Sequence, residues 1–508
     1  MKRIACVFLS LLILVSLVAC GSPSLADTKE ILTVTTEDKE EAPVYAPKPK
    51  PVQPIREEPQ GTFDPTGFSV GFGRYLMTPP KGASMAGFGN GSVRLSDEVL
   101  DELYVSCVAL RDEEGATALL FSVDACSVPG SVWKEVCTRL ETEVGVPRAF
   151  VFLNASHTHS GPELTLTSVG GSIFMPRAVK AAKDAIATLD RAEIYIGETE
   201  TENMSYVRRY LKADGSYIYR GKIPSSGAYP EYRHETDPDK QMRVIRFDRA
   251  NQKDVVLVNW ACHVTTVGSA NGTEISADWV GSLRDTVEKT EEVYFSYFQA
   301  AAGNTTPGTR LANEKNNAND HVQHGKDLAV FVSSVLDRMT KVESGRIRAV
   351  ESEIQIPYAT DTKGYSAEAI EAAAVISSLY SSGQQSGRID ELVRQYGFAS
   401  AHDARTVLAN SKREPGSTNT MNLGAIAVGD LGFCYAPYEM LSTTGIQVKE
   451  ASPFDFTFMC GYTNGSYGYI PNIEAFPNYQ YEVDACKYAP GTAEQIAAEL
   501  NRLLNQIK

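Results

Sequence analysis

From Phe68 to the C-terminus, short apolar runs that read as strands alternate with amphipathic stretches that read as helices, and this alternation dominates what the chain can fold into. "YVSCVALRD" and "ATALLFSVDA" read as strands, "VWKEVCTRLETEV" (Val132 to Val144) as an amphipathic helix, and "RAFVFLNAS" (Arg148 to Ser156) as a buried strand. A helix near residues 178–189, the strands "QMRVIRFD" and "DVVLVNWACH", a helix near 279–289 and the strand "VYFSYFQA" follow. Residues 366–412 read as a helical insertion, after which "LGAIAVGDLGFCYAP" returns to strands and "TAEQIAAELNRLLNQIK" closes the chain as a helix. The sequence shows no internal repeat. The expectation is an α/β fold, a mixed β-sheet core with helices on its faces, in a single large domain spanning residues 63–508.

The N-terminus is of another kind. Lys2 and Arg3 precede an apolar run from Ile4 to Ala19, and "LVAC" ends at Cys20, followed by Gly21 and Ser22. This is the pattern of a cleaved signal (residues 1–19), and a cysteine behind Leu-Val-Ala resembles the lipobox of bacterial lipoproteins, which implies lipidation of Cys20. The Pro-, Glu-, Lys- and Thr-rich residues 20–62 have no apolar period and read as a tether holding the domain off a membrane. The expected location is extracytoplasmic, anchored to the bacterial cell membrane. Cleavage removes Lys2 and Arg3 and moves the formal charge from −15 to −17, which argues against a nucleic-acid partner. Beyond Cys6 and Cys20 there remain Cys107, Cys126, Cys137, Cys262, Cys434, Cys460 and Cys486. Their odd number and lack of a Cys-x-x-Cys pair signal neither a zinc ribbon nor a full disulfide framework, while leaving room for one or two disulfides.

The chemistry concentrates in "NASHTHSGPE". In an extended segment residues i and i+2 face the same way, so His157 and His159 can project together from the end of an apolar strand. Such a pair alone is a weak signal. "LVNWACHVTTVG" repeats the architecture, an apolar strand ending in His263, and in open α/β sheets ligands bind at the carboxyl ends of strands. In "YAPYEMLSTTG", Glu439 follows a strand, where an acid in a first helical turn is an equally good reading. "GYTNGSYGYIPN" offers Tyr462, Tyr467 and Tyr469, among which spacing does not choose.

Taken in order, "GRYLMTPPKGASMAGFG", "ASHTHSGP", "DPDKQMRVIRFD", "NWACHVTT", "AAGNTTPG", "PYEM" and "YTNGSYGYI…YQYE" resemble the neutral (non-lysosomal) ceramidase family over roughly residues 68–485. The resemblance implies a zinc-dependent amidohydrolase with His157, His263, Glu439 and Tyr469 as Zn2+ ligands. It implies His159 as the proton handler, Tyr481 as the oxyanion donor and Arg208 in "YVRRY" as a substrate contact. A lipid amide is then the expected substrate.

Two departures bear on that substrate. Where ceramidases carry Gly-Asp-x-Ser-Pro-Asn, this chain has "GNTTPG", with Asn304 at the aspartate and Thr306 at the serine, so a methyl accompanies the hydroxyl. The chain also ends within one helix of Tyr481, so the family's C-terminal β-sandwich is expected to have no counterpart. Two other expectations therefore stand beside ceramide hydrolysis. One is the same zinc centre acting on a different envelope or dietary amide or ester; the other is a lipoprotein that binds without turnover.

Overall fold

A computed structural model describes residues 67–88, 94–218, 232–269, 272–308, 320–382, 387–477 and 480–508. The signal segment, the tether and Cys20 lie outside the described residues.

The architecture is mixed α/β, built from one motif used three times. Ser69–Leu76, Tyr104–Arg111 and Thr117–Val123 form an antiparallel meander, helix Gly130–Val144 crosses over, Val151–Ala155 returns parallel to Thr117–Val123, and helix Val169–Ala187 follows. The second copy runs Asp190–Glu200, Gln241–Arg249, Val255–Trp260, helix Asp278–Thr290, the parallel strand Tyr294–Gln299 and helix His321–Leu336. The third runs Ile347–Pro357, Thr418–Val428, Leu431–Tyr435, helix Ser442–Glu450, the parallel strand Phe456–Cys460 and helix Thr492–Ile507. Each ends in a parallel strand pair joined by a helix, the connection that parallel strands require. The sequence hides this repeat because burial fixes only apolar periodicity, which many sequences satisfy.

The first two copies fuse into one nine-stranded sheet through a short antiparallel pairing of Ser69 with Arg191 and Val70 with Asp190; the third forms its own four-stranded sheet. Phe72, Leu110 and Phe152 from the first copy, Ile245, Leu257 and Phe298 from the second, and Ile426, Phe433 and Phe458 from the third share one central core. The six helices cover the outer faces, where each pair has a separate apolar cluster with its own strands. This packing is close: a Cβ on Gly71 would lie 1.8 Å from the Ala185 carbonyl oxygen of helix Val169–Ala187.

Within residues 366–412, helices Ala367–Ser381, Gly387–Tyr396 and Ala401–Ser411 pack on one another through Ile376, Leu392 and Val407. They occupy the link between the first and second strands of the third copy. All seven cysteines of the domain are free thiols, so none of the disulfides the sequence left room for is formed. Six are buried in apolar surroundings, and Cys126 is the exception.

Candidate metal centre

The parallel pair of each copy ends at the same place, and the connections that follow carry nearly every chemical group singled out in the sequence. After the third strand of each copy come Cys126, His263 and Glu439; after the fourth come His157 with His159, Asn304 with Thr306, and Tyr462 with Tyr469 and Tyr481. Gln299 ties two copies by donating from Nε2 to the Ser156 and Cys262 carbonyls (3.0 and 2.6 Å) just before His157 and His263. Asn154 adds the third, its Nδ2 donating to Gln299 O, Gly461 O and Thr463 Oγ1. Thr158 bridges Val264, so the two histidine segments run side by side.

His157 has φ +70°, a left-handed backbone that costs a residue with a Cβ of order 1–3 kcal/mol and turns its ring into the centre. Tyr462, at the equivalent point of the third copy, also has positive φ (+52°), and its ring lies 4.1 Å from that of His157. Glu439 and Tyr469 face each other in a two-residue parallel ladder, which explains how motifs thirty positions apart meet.

His157 and His263 are buried and oriented alike. Each directs Nδ1 to a backbone carbonyl 2.7 Å away, Cys126 O for His157 and Ala302 O for His263. With the proton of each neutral ring on Nδ1, both Nε2 lone pairs point inward, 3.3 Å apart. Glu439 Oε2 lies 3.2 Å from His157 Nε2 and 3.5 Å from His263 Nε2, yet it is buried without a hydrogen bond. The Tyr469 hydroxyl lies 3.3 Å from His263 Nε2. Lone pairs facing one another repel unless a cation sits between them, and ligands about 2.0–2.1 Å from a tetrahedral centre lie about 3.3 Å apart. Two imidazoles, a carboxylate and a phenol oxygen, with carbonyls fixing the outer ring nitrogens, are a donor set that fits zinc.

The electrostatics agree with a site built for positive charge. Burial disfavours charge on His157, but the facing Cys126 and Glu439 raise its pKa to about 10, so that without a cation between them the carboxylate draws a proton onto Nε2, the position a metal ion would take. Burial would push the Glu439 carboxyl up, and the facing His157 instead holds it well below the usual carboxylate range. Burial, then Arg208, lowers His263 to about 4. Burial, then Glu439, holds the Tyr469 phenol well above its ordinary value, against the pull of Arg208.

His159 Nε2 stands 3.0 Å from His157 Nε2, and its Nδ1 accepts from the Phe88 amide at 3.2 Å. That amide fixes the neutral tautomer with the proton on Nε2. Gly87 (φ +86°) allows the loop to come this close, since a Cβ there would fall 2.6 Å from His159 Cγ. Tyr481 is half-buried, edge-on to Tyr469 at 5.4 Å, and its hydroxyl hydrogen-bonds no described residue. Thr306 Oγ1 is buried without a partner, whereas Asn304 Oδ1 accepts from the Ser442 amide. Arg208 is buried and donates from Nη2 to the Tyr469 hydroxyl (3.0 Å) and Gly303 O (2.8 Å), and from Nε to Glu482 (2.8 Å). It thus buttresses Tyr469 from the outer side.

Sequence reasoning missed Cys126, Phe88 and Glu482 as parts of the centre, and offered Tyr462 only as one of three tyrosines among which spacing did not choose. Cys126 could have been found, for it follows "LLFSVDA" as His263 follows "LVNWAC".

The family profile described as neutral/alkaline non-lysosomal ceramidase, N-terminal, matches residues 68–326. A crystal structure of neutral ceramidase from Pseudomonas aeruginosa is similar in fold, with TM-score 0.64 at 17% identity, over 87% of this chain and 75% of that one. A structure described as ceramidase complexed with C2 gives TM-score 0.65 at 17% identity, over 87% and 76%.

Proposed function

The chain belongs to the neutral/alkaline non-lysosomal ceramidase family, and from that premise we propose that it is a zinc-dependent amidohydrolase cleaving the N-acyl amide of ceramide or a related lipid. The observation that carries the reading is the convergence of His157 Nε2, His263 Nε2, Glu439 Oε2 and the Tyr469 hydroxyl on one point, with the Glu439 oxygen otherwise unpartnered.

His157, His263, Glu439 and Tyr469 would hold the ion, and zinc there supplies Lewis acidity toward a water and a carbonyl oxygen. His159 would receive the proton of the attacking water at Nε2 and pass it to the departing amine nitrogen; this uses the tautomer in which the ring proton has moved from Nε2 to Nδ1, in place of the hydrogen bond from the Phe88 amide. Tyr481 donates to the carbonyl oxygen as charge develops on it. Arg208, held by Glu482, keeps a hydrogen bond on the outer side of the Tyr469 oxygen and favours its phenolate. Thr306 offers an unpartnered hydroxyl to the substrate, and its methyl favours a slimmer amide than a serine would admit; this supports the second reading, the same centre acting on a different amide or ester.

The test is metal content of the purified chain together with hydrolysis of a fluorogenic ceramide, beside Thr306→Ser. About one zinc per chain with ceramide turnover is expected. A chain without zinc sinks the reading, and zinc with turnover only of other amides shifts it to the second.

The lipobox at Leu17–Cys20 supports an extracytoplasmic, membrane-anchored enzyme. Cys20→Ser is expected to move the protein from the membrane fraction to the soluble fraction. Unchanged partitioning would count against the anchor.

A further inference from the structure

A cavity of about 490 Å³ opens between helix Ala401–Ser411 of the helical insertion and the segment after Tyr481. Arg405, Lys412 and Lys487 line it together with His402, and Leu408 and Ala485 supply apolar wall. The protein carries a net charge of −15, yet no carboxylate pairs with these three cations among the described residues. The acids nearby are engaged elsewhere: Asp403 and Asp484 both pair with Lys363, at 2.6 and 3.6 Å. The Arg405 guanidinium stands over the Tyr380 ring, 4.4 Å from its centre, which helps hold it at the wall. Partial desolvation, then Arg413 and Arg405, lowers the pKa of Lys487, as expected where cations gather without a counter-charge.

Side-chain rings link this cavity to the metal centre, although no residue of the centre lines it. His402 lines it and stands edge-on to Tyr481 at 5.3 Å, and Tyr481 in turn stands edge-on to Tyr469. Two ring contacts therefore join the cation cluster to a metal donor. The volume exceeds what a bare phosphate needs, and the apolar wall suits the organic body beside an anionic group.

We propose that this cavity binds an anionic group, a phosphate, sulfonate or carboxylate, on the substrate of the metal centre, so that the enzyme's amides include acidic ones. The proposal rests on the amidohydrolase reading. Unpaired Arg and Lys side chains are the usual receptors for such oxyanions, and a cluster left without acids keeps its full charge for the ligand. The anionic group would lie beyond Tyr481 while the scissile amide lies over the zinc ligands.

The test uses the full-length, metal-containing protein and two N-acyl amides of one amino alcohol with the same acyl chain, one with a free hydroxyl and one with that hydroxyl phosphorylated. At low salt the phosphorylated amide is expected to be favoured at least tenfold in kcat/KM, mostly through KM. In Arg405→Gln/Lys487→Gln that preference should vanish, with kcat/KM for the neutral amide within about twofold and an unchanged Tm. Inorganic phosphate should raise the Tm of the wild type but not of the double variant, and should compete with the phosphorylated amide. Equal handling of the two amides by the wild type, or a preference surviving the double substitution, overturns the proposal. Phosphate that binds without competing also overturns it, marking a site for a free anion. If neither amide is cleaved, the amidohydrolase reading fails on its own, and the phosphate-dependent Tm still decides whether the cavity binds anions.

Discussion

Replacing His263 with alanine is expected to strip the protein of its metal and to lower amide hydrolysis by at least about 10³-fold. His263 is fully buried, its Nδ1 is held by the Ala302 carbonyl, and its Nε2 faces His157, Glu439 and Tyr469 at once. Alanine removes a ligand, while Ala302 O keeps the Thr305 amide and hydroxyl as donors. Since losing an outer partner of a metal-bound histidine typically costs 10–100-fold in metal affinity, losing the ligand itself should cost more. Metal analysis after dialysis checks the first part and initial rates the second. A variant that retains one zinc per chain and wild-type rates would contradict the assignment of this residue. His159→Ala is the useful contrast, because it should retain zinc while losing turnover.

Tyr481→Phe should reduce kcat by about 10²–10³-fold while KM moves little, the pattern for a donor used only when charge develops on the substrate oxygen. The phenyl ring keeps the edge contacts with Tyr469 and His402, and the hydroxyl that is lost bonds no described residue, so Tm should shift by no more than about 1–2 °C. Burial raises the pKa of Tyr481, so it remains a proton donor throughout the neutral range and its ionisation should leave no mark on the wild-type rate below pH 10. Rate profiles and thermal melts of the pair settle the matter: an equal loss spread over kcat and KM would argue for a packing role instead.

Much of the centre was legible because its residues end strands. His157, His263 and Glu439 each follow a clear apolar run, and strand ends are where α/β folds gather ligands. Arg208 was located by motif, yet its partners were not, since Glu482 lies 274 positions away and only folding brings them together. Phe88 acts through a backbone amide, which leaves no pattern in a sequence, and Tyr462 stood there as one of three tyrosines until its ring was seen against His157. The alternation foretold strands and helices but not their threefold recurrence, because helix-covered strands need only be apolar, and Val70, Ile194 and Ile347 satisfy that requirement with unrelated neighbours.

That recurrence has a consequence for folding. No copy of the motif contains a complete set of the proposed metal donors: His157 comes from the first, His263 from the second, Glu439 and Tyr469 from the third. An ion bound among them is a crosslink between chain segments hundreds of residues apart, and at a thousandfold excess over its Kd it would stabilise the assembled fold by about 4 kcal/mol. Such an ion would bridge the seam between the nine-stranded sheet and the separate third sheet, which backbone bonds such as Ala155 N–H to Tyr462 O and Asn464 N–H to Leu153 O also join. Occupancy of the proposed site would thus report whether the three parts of the molecule have closed, and emptying it would remove one tie along that seam.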